Sequence, residues 1–274
     1  MTTSFGGDPQ APTGLAAPER NRYYYGKLLD VPHFQMEQQY LNGKRWLLNR
    51  LLDGPGVIAG LGIVPTADGS GLILQAGVAI DGWGREIIVP AASVAFDPRT
   101  LTDQNGKSTG TITGAGAVTI SLCYQACGVD PAPVMIANCK PDGDCEPGTT
   151  REQYVLSVQS GNAVPSPTTC GFADIFRPVG GSIDIPDPHA ALAARVTKPN
   201  ADPVGAGCVL LAQVDLPASG TLTTVMIDTT VRPVVLNAGT LLELIFCLAQ
   251  RVQELSTSGA TPPPTPTPTP TPTA

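Results

Sequence analysis

Residues 71–90 read GLILQAGVAIDGWGREIIVP, two apolar runs set on either side of Asp81-Gly82-Trp83-Gly84. Val78 and Ile80 alternate before that turn and Ile87 and Val89 after it, the period of two that marks half-buried strands. The segment therefore predicts a hairpin. GVIAGLGIVP at 56–65 extends the pattern towards the N-terminus, closed by the turn residues Ala67-Asp68-Gly69-Ser70. Further strands are predicted at Ala117–Cys123, Gln153–Gln159, Cys208–Leu216 and Thr221–Ile227. The fold class that follows is mainly β, a sandwich or jelly roll, over residues 57–236. Between two of those strands, residues 128–150 are rich in Pro, Gly and Asp and predict a long loop.

Helical spacing replaces the period of two on both flanks. Residues 31–52, VPHFQMEQQYLNGKRWLLNRLL, carry Phe34, Leu41, Leu48 and Leu52 on one stripe, with Asp30 placed to cap and Pro32 in the first turn. Asp53-Gly54-Pro55-Gly56 stops that helix. A second helix is predicted at 240–255, TLLELIFCLAQRVQEL, with Leu241, Leu244 or Ile245, Leu248 and Val252 on one face. The organisation that results is an extended N-terminal arm (1–21), a helix segment (22–56), the β-rich domain (57–236), a C-terminal helix (237–256) and a Thr-Pro tail (257–274). The tail ends TPPPTPTPTPTPTA at 261–274. Alternating proline predicts an extended polyproline II path, about 43 Å long at roughly 3.1 Å per residue, with a disordered, solvated tail as the alternative. Thr265, Thr267, Thr269 and Thr271 are its candidate O-glycosylation sites, and a glycan a candidate partner.

Composition narrows the function classes. Hydrophobic residues make up 42% of the chain and charged ones only 14%, a balance that suits a surface packed against copies of itself, where charge would be buried at a cost. A net charge of −7 argues against nucleic acid and anionic membranes, since no basic patch exists to release counterions. No apolar run reaches the roughly 18–20 residues of a membrane span, so membrane insertion is not expected. MTTSFGGDPQAPTG shows neither a basic n-region nor an apolar h-region, and synthesis without a recognisable signal peptide is expected.

The residue types that carry catalysis are sparse. His33 and His189 are the only histidines, and both read as solvated positions at helix starts. Lys140–Glu146 has the acidic look of a calcium loop without its regular oxygen ligands. Gly54, Gly56, Gly60 and Gly62 precede a strand, the wrong order for a phosphate cradle. Catalytic residues, metal ligands and cofactors are accordingly not assigned. Of seven cysteines, Cys123, Cys127, Cys139 and Cys145 are the disulfide candidates, with a zinc clip or free thiols as alternatives. Cys208 and Cys247 lie in apolar runs and read as core packing. Tyr23, Tyr24, Tyr25 and Trp46 form an aromatic group that reads as a subunit contact, or less directly as a sugar platform. Leu244 and Leu248 join them as expected assembly contacts.

RYYYGKLL at 22–29, FQMEQQYL at 34–41, LLNRLLDGPGVIAGLGI at 47–63, GVAIDGWGREIIVP at 77–90 and LIFCLAQRV at 244–252, taken together, resemble a group of bacterial proteins of phage-tail-like contractile injection systems, their tail-fibre or baseplate accessory components. The resemblance spans most of residues 22–252 and names no reaction. It implies a structural or attachment role, with copies of the chain and other tail or baseplate proteins as partners. The resulting expectation is a non-enzymatic subunit of a self-assembling extracellular fibre, a helical homo-oligomer. The alternative is a carbohydrate-binding adhesin whose Thr-Pro segment is a linker, and a hydrolase is disfavoured for want of a nucleophile motif.

Overall fold

Asp30 begins the first helix, α1 (Val31–Leu48), from an extended conformation (φ −136°, ψ 167°). Its carboxylate accepts the Val31 N–H at 2.7 Å, while its own N–H is donated to His33 Nδ1 at 3.2 Å. The pair is a capping box with histidine in the position more often held by Glu or Gln, so His33 is occupied in ending the helix. The sequence predicts one helix to Leu52. In the computed structural model of the chain, which describes residues 17–133, 145–163, 177–179, 182–184, 207–236 and 238–258, the last turn widens instead to a π-turn at Asn49–Asp53. Asn49 there donates its amide to Gly84 O at 2.9 Å and to Glu86 Oε1 at 2.8 Å, tying the helix end to the predicted hairpin turn.

The chain divides into two units, Met1–Val235 and Leu236–Ala274. The first is strand-rich and antiparallel. One sheet has the order β1 (Gly56–Gly60), β4 (Gly77–Ile80), β5 (Glu86–Val89). β2 (Ile63–Pro65) and β3 (Leu72–Leu74) form a separate ribbon. The largest sheet has six strands in the order β13 (Ile227–Asp228), β12 (Cys208–Leu216), β8 (Gly116–Pro133), β9 (Cys145–Ser160), β6 (Thr100–Thr102), β7 (Ser108–Thr111). A short hairpin pairs β10 (Arg177–Val179) with β11 (Ser182–Asp184). Asp68 fixes the turn between β2 and β3: the Thr66 hydroxyl at 2.6 Å, with the Ser70 N–H and hydroxyl, holds its pKa down to about 2.

One core joins the two larger sheets and the β2–β3 ribbon. Leu61, Leu72, Leu74, Ala79, Ile87 and Val89 meet Val118, Ile120 and Leu122 of β8 and the inward residues of β12 in a single buried cluster. Along β8, Val118, Ile120, Leu122 and Tyr124 alternate inward as a regular strand requires. β12 cannot do so unaided, because its buried residues run Val209, Leu211, Ala212, Val214, Leu216. A register shift between Leu210 and Ala212 supplies the missing step: the bulge adds one residue, and both halves of the strand then face the core.

Two expectations about loops and strands are corrected. Residues 128–150, expected as a loop, carry paired strand over much of their length, with register running from Gly128↔Thr150 to Pro133↔Cys145. Pairing satisfies backbone groups that a loop of that length would leave to solvent. Asp130, at φ 56°, takes the skipped position beside the facing pair Pro131 and Pro147. The predicted strand at Thr221–Ile227 is a 3₁₀ turn, Thr224–Met226, that delivers only Ile227 and Asp228 to the sheet edge. In the second unit, Ala238–Ser258 forms one helix, α2. The Thr-Pro tail lies outside the described residues.

Candidate assembly surface

The predicted hairpin turn is held by a buried side-chain network. Asp81 Oδ1 accepts the N–H groups of Trp83 and Arg85, each at 2.9 Å, and Oδ2 accepts Arg85 Nε at 2.8 Å. Both side chains are buried, so the ion pair is taken out of water. The Arg85 guanidinium lies over the Tyr124 ring, 4.2 Å from its centroid, which ties the β4–β5 turn to β8. Gly207 completes the packing, since a Cβ there would collide with Arg85 Nη2. On the other side of the turn Gly84, at φ 87°, lets the Trp46 carbonyl of α1 come so close that a Cβ would clash with it. Arg45 adds an exposed ion pair to Glu86 at 3.0 Å.

A disulfide adjoins this node and corrects the cysteine expectation. Cys123, which precedes Tyr124, is bonded to Cys208, which follows Gly207, and not to Cys127, Cys139 or Cys145. Register is the reason. Cys123 and Cys208 face each other across β8 and β12 with Cα atoms 4.0 Å apart. The Tyr124 N–H donates to Gly207 O at 3.1 Å, which marks their pair as the closely spaced kind whose side chains meet. Cys127 lies four residues further along β8, opposite Arg151, and is a free thiol. Cys139 and Cys170 lie outside the described residues, and Cys145 opens β9 opposite Pro133. Cys208, read as simple core packing, is thus a covalent link. It sits where the β8–β9 hairpin leaves β12, and beyond Cys123 no further strand pairs with β8 except β9 among the described residues.

The expected assembly contacts separate into two kinds. Trp46 is only 4% exposed and is the one buried residue of α1, so it anchors the chain's own fold and is not an assembly contact. At about 100° per residue it stands roughly 120–160° around the helix from Phe34, Leu41 and Leu48, and those three remain exposed. The apolar stripe that the sequence shows is therefore the uncovered side of a helix held at its C-terminal end. Tyr23, Tyr24, Tyr25 and Leu28, just before the helix, are exposed as well, with Tyr25 wholly in solvent. Leu244 and Leu248 are about half exposed on α2.

Among the described residues there is no group of three or more His, Cys, Asp or Glu that could hold a metal ion, and no helix is long and apolar enough to cross a membrane. His189, the loop 140–144 and the four candidate threonines lie outside the described residues. No known protein family and no curated protein matches the chain.

Proposed function

We propose that this chain is a structural subunit, without catalytic activity, that self-assembles into an extracellular fibre or phage-tail-like appendage. One observation carries the reading: large apolar side chains are left uncovered on the segment from Tyr23 to Leu52 and on α2, while the β core is closed. Patches of that kind mark protein contacts. A single self-complementary patch closes at a pair, whereas two contact surfaces per chain let each copy join two others, which suits a filament. The reading takes the two larger sheets as the faces of a sandwich, supported by the neighbouring pairs β4–β5, β6–β7, β8–β9 and β12–β13. The cross-strand disulfide fits an oxidising exterior.

Light scattering and negative-stain microscopy of the purified chain test the proposal. Filaments are expected, and replacing Tyr23, Tyr24 and Tyr25 together with serine should shorten or abolish them while the β-sheet circular dichroism is unchanged. Single particles of 28.3 kDa from the unaltered chain would overturn it. The second reading, a carbohydrate-binding module, is favoured by the three consecutive exposed tyrosines, which offer stacking faces to sugar rings. It gains if a monomeric chain binds polysaccharide and the serine variant does not. Glycosylation of the tail at Thr265, Thr267, Thr269 and Thr271 is read from intact mass: protein isolated from its native source should exceed 28.3 kDa, and equality would remove the glycan.

A further inference from the structure

We infer that α2 pairs in parallel with α2 of a second copy of this chain, as a short coiled coil. The inference rests on the self-assembly reading above and names the contact that one of its two surfaces makes. α2 runs over 21 residues, three heptads. With Ala238 at position a, Ile245 and Val252 fall at a, and Leu241, Leu248 and Leu255 at d. β-branched residues at a with leucine at d is the pattern that favours two parallel strands.

Area and charge both point to a like partner. Leu241, Leu242, Leu244, Ile245, Phe246 and Leu248 are each 43–64% exposed. At roughly 150–200 Å² for a whole side chain, that leaves on the order of 500 Å² of apolar surface per copy, or about 1,000 Å² across a pair, the area that a specific interface needs. From Leu241 to Leu248 the only charge is Glu243, at the outer f position, so nothing on this face steers towards a charged partner.

Direction follows from the uneven distribution of apolar residues. The first half of the helix, LLELIFCL, is apolar nearly all round, and the second half, AQRVQEL, carries Gln250, Arg251, Gln253 and Glu254. An antiparallel pair would lay the apolar half of one helix on the polar half of the other and leave Leu242 and Leu244, at e and g, against polar side chains. A parallel pair sets the two apolar halves together. It also sends the segments from residue 259 onward out of the same end of the pair.

The test uses the full chain. Leu241→Cys, at d, should give on mild oxidation a covalent dimer whose mapped peptides join position 241 to position 241, while Glu243→Cys, at f, should not. Ile245→Asn combined with Leu248→Asn should weaken association by at least ~100-fold, the effect of two lost apolar contacts. Equal cross-linking at 241 and 243, or assemblies of unchanged size in the asparagine double variant, would overturn the helix pairing and leave self-assembly standing. A 28.3 kDa monomer from the unaltered chain would overturn both.

Discussion

Replacing Asp81 with alanine is expected to lower the unfolding free energy by about 3–5 kcal/mol, the scale for removing one partner of a buried ion pair. The Asp81 carboxylate is fully buried and accepts three hydrogen bonds, two from the backbone of its own turn and one from Arg85. Its loss takes the carboxylate away from an Arg85 guanidinium packed between the Tyr124 ring and Gly207. By contrast Glu86→Gln, which removes the exposed pair with Arg45, should cost less than about 1 kcal/mol. Urea midpoints decide between the two scales. Removing both charges, Asp81→Ala with Arg85→Met, should recover part of the loss but not all, because the Trp83 and Arg85 N–H groups remain without their acceptor. A single-variant loss below about 1 kcal/mol would mean that the pair is solvated and that the turn does not organise the core.

Reduction of the Cys123–Cys208 bond, or Cys208→Ser, is expected to cost about 2–4 kcal/mol. The bond closes a separation of 85 residues, which places it among the long loops whose closure constrains the unfolded chain most. Its location adds a local effect. Opening it frees the base of the β8–β9 hairpin, so amide exchange at Tyr124 should accelerate more than at Val118, buried at the far end of β8. Denaturation with and without reductant measures the first effect, and peptide mapping without reduction identifies the bond. A mapped bridge from Cys123 to Cys127, Cys139 or Cys145 would refute the pairing, as would a midpoint indifferent to reductant.

If both results hold, the node at Asp81, Arg85, Tyr124 and Cys123–Cys208 is a rigid base from which the apolar helix α1 and the β8–β9 hairpin extend. Stability and assembly would then separate by residue. Variants at the node would destabilise the domain, whereas variants at Tyr23–Tyr25 would leave its stability unchanged and alter only its contacts.

What the sequence by itself determined is local. Asp30 and Pro32 mark the start of α1, the alternation around Asp81–Gly84 marks a hairpin, and the apolar run Cys208–Leu216 marks a strand. Each of these follows from hydrogen bonds and spacings within a few residues, and such patterns are written in order along the chain. The tertiary structure alone decided the rest. Periodicity shows that Phe34, Leu41 and Leu48 share a side of a helix but not whether anything covers that side. The covered residue is Trp46, held by the turn at Gly84. The pattern of β12 makes sense only with its bulge, which the partner strand reveals. Cysteine spacing favoured a bridge among near neighbours, yet side chains meet by register across a sheet, and register joined Cys123 to a residue 85 positions away. Burial and pairing are properties of two surfaces, and one stretch of sequence describes only one of them.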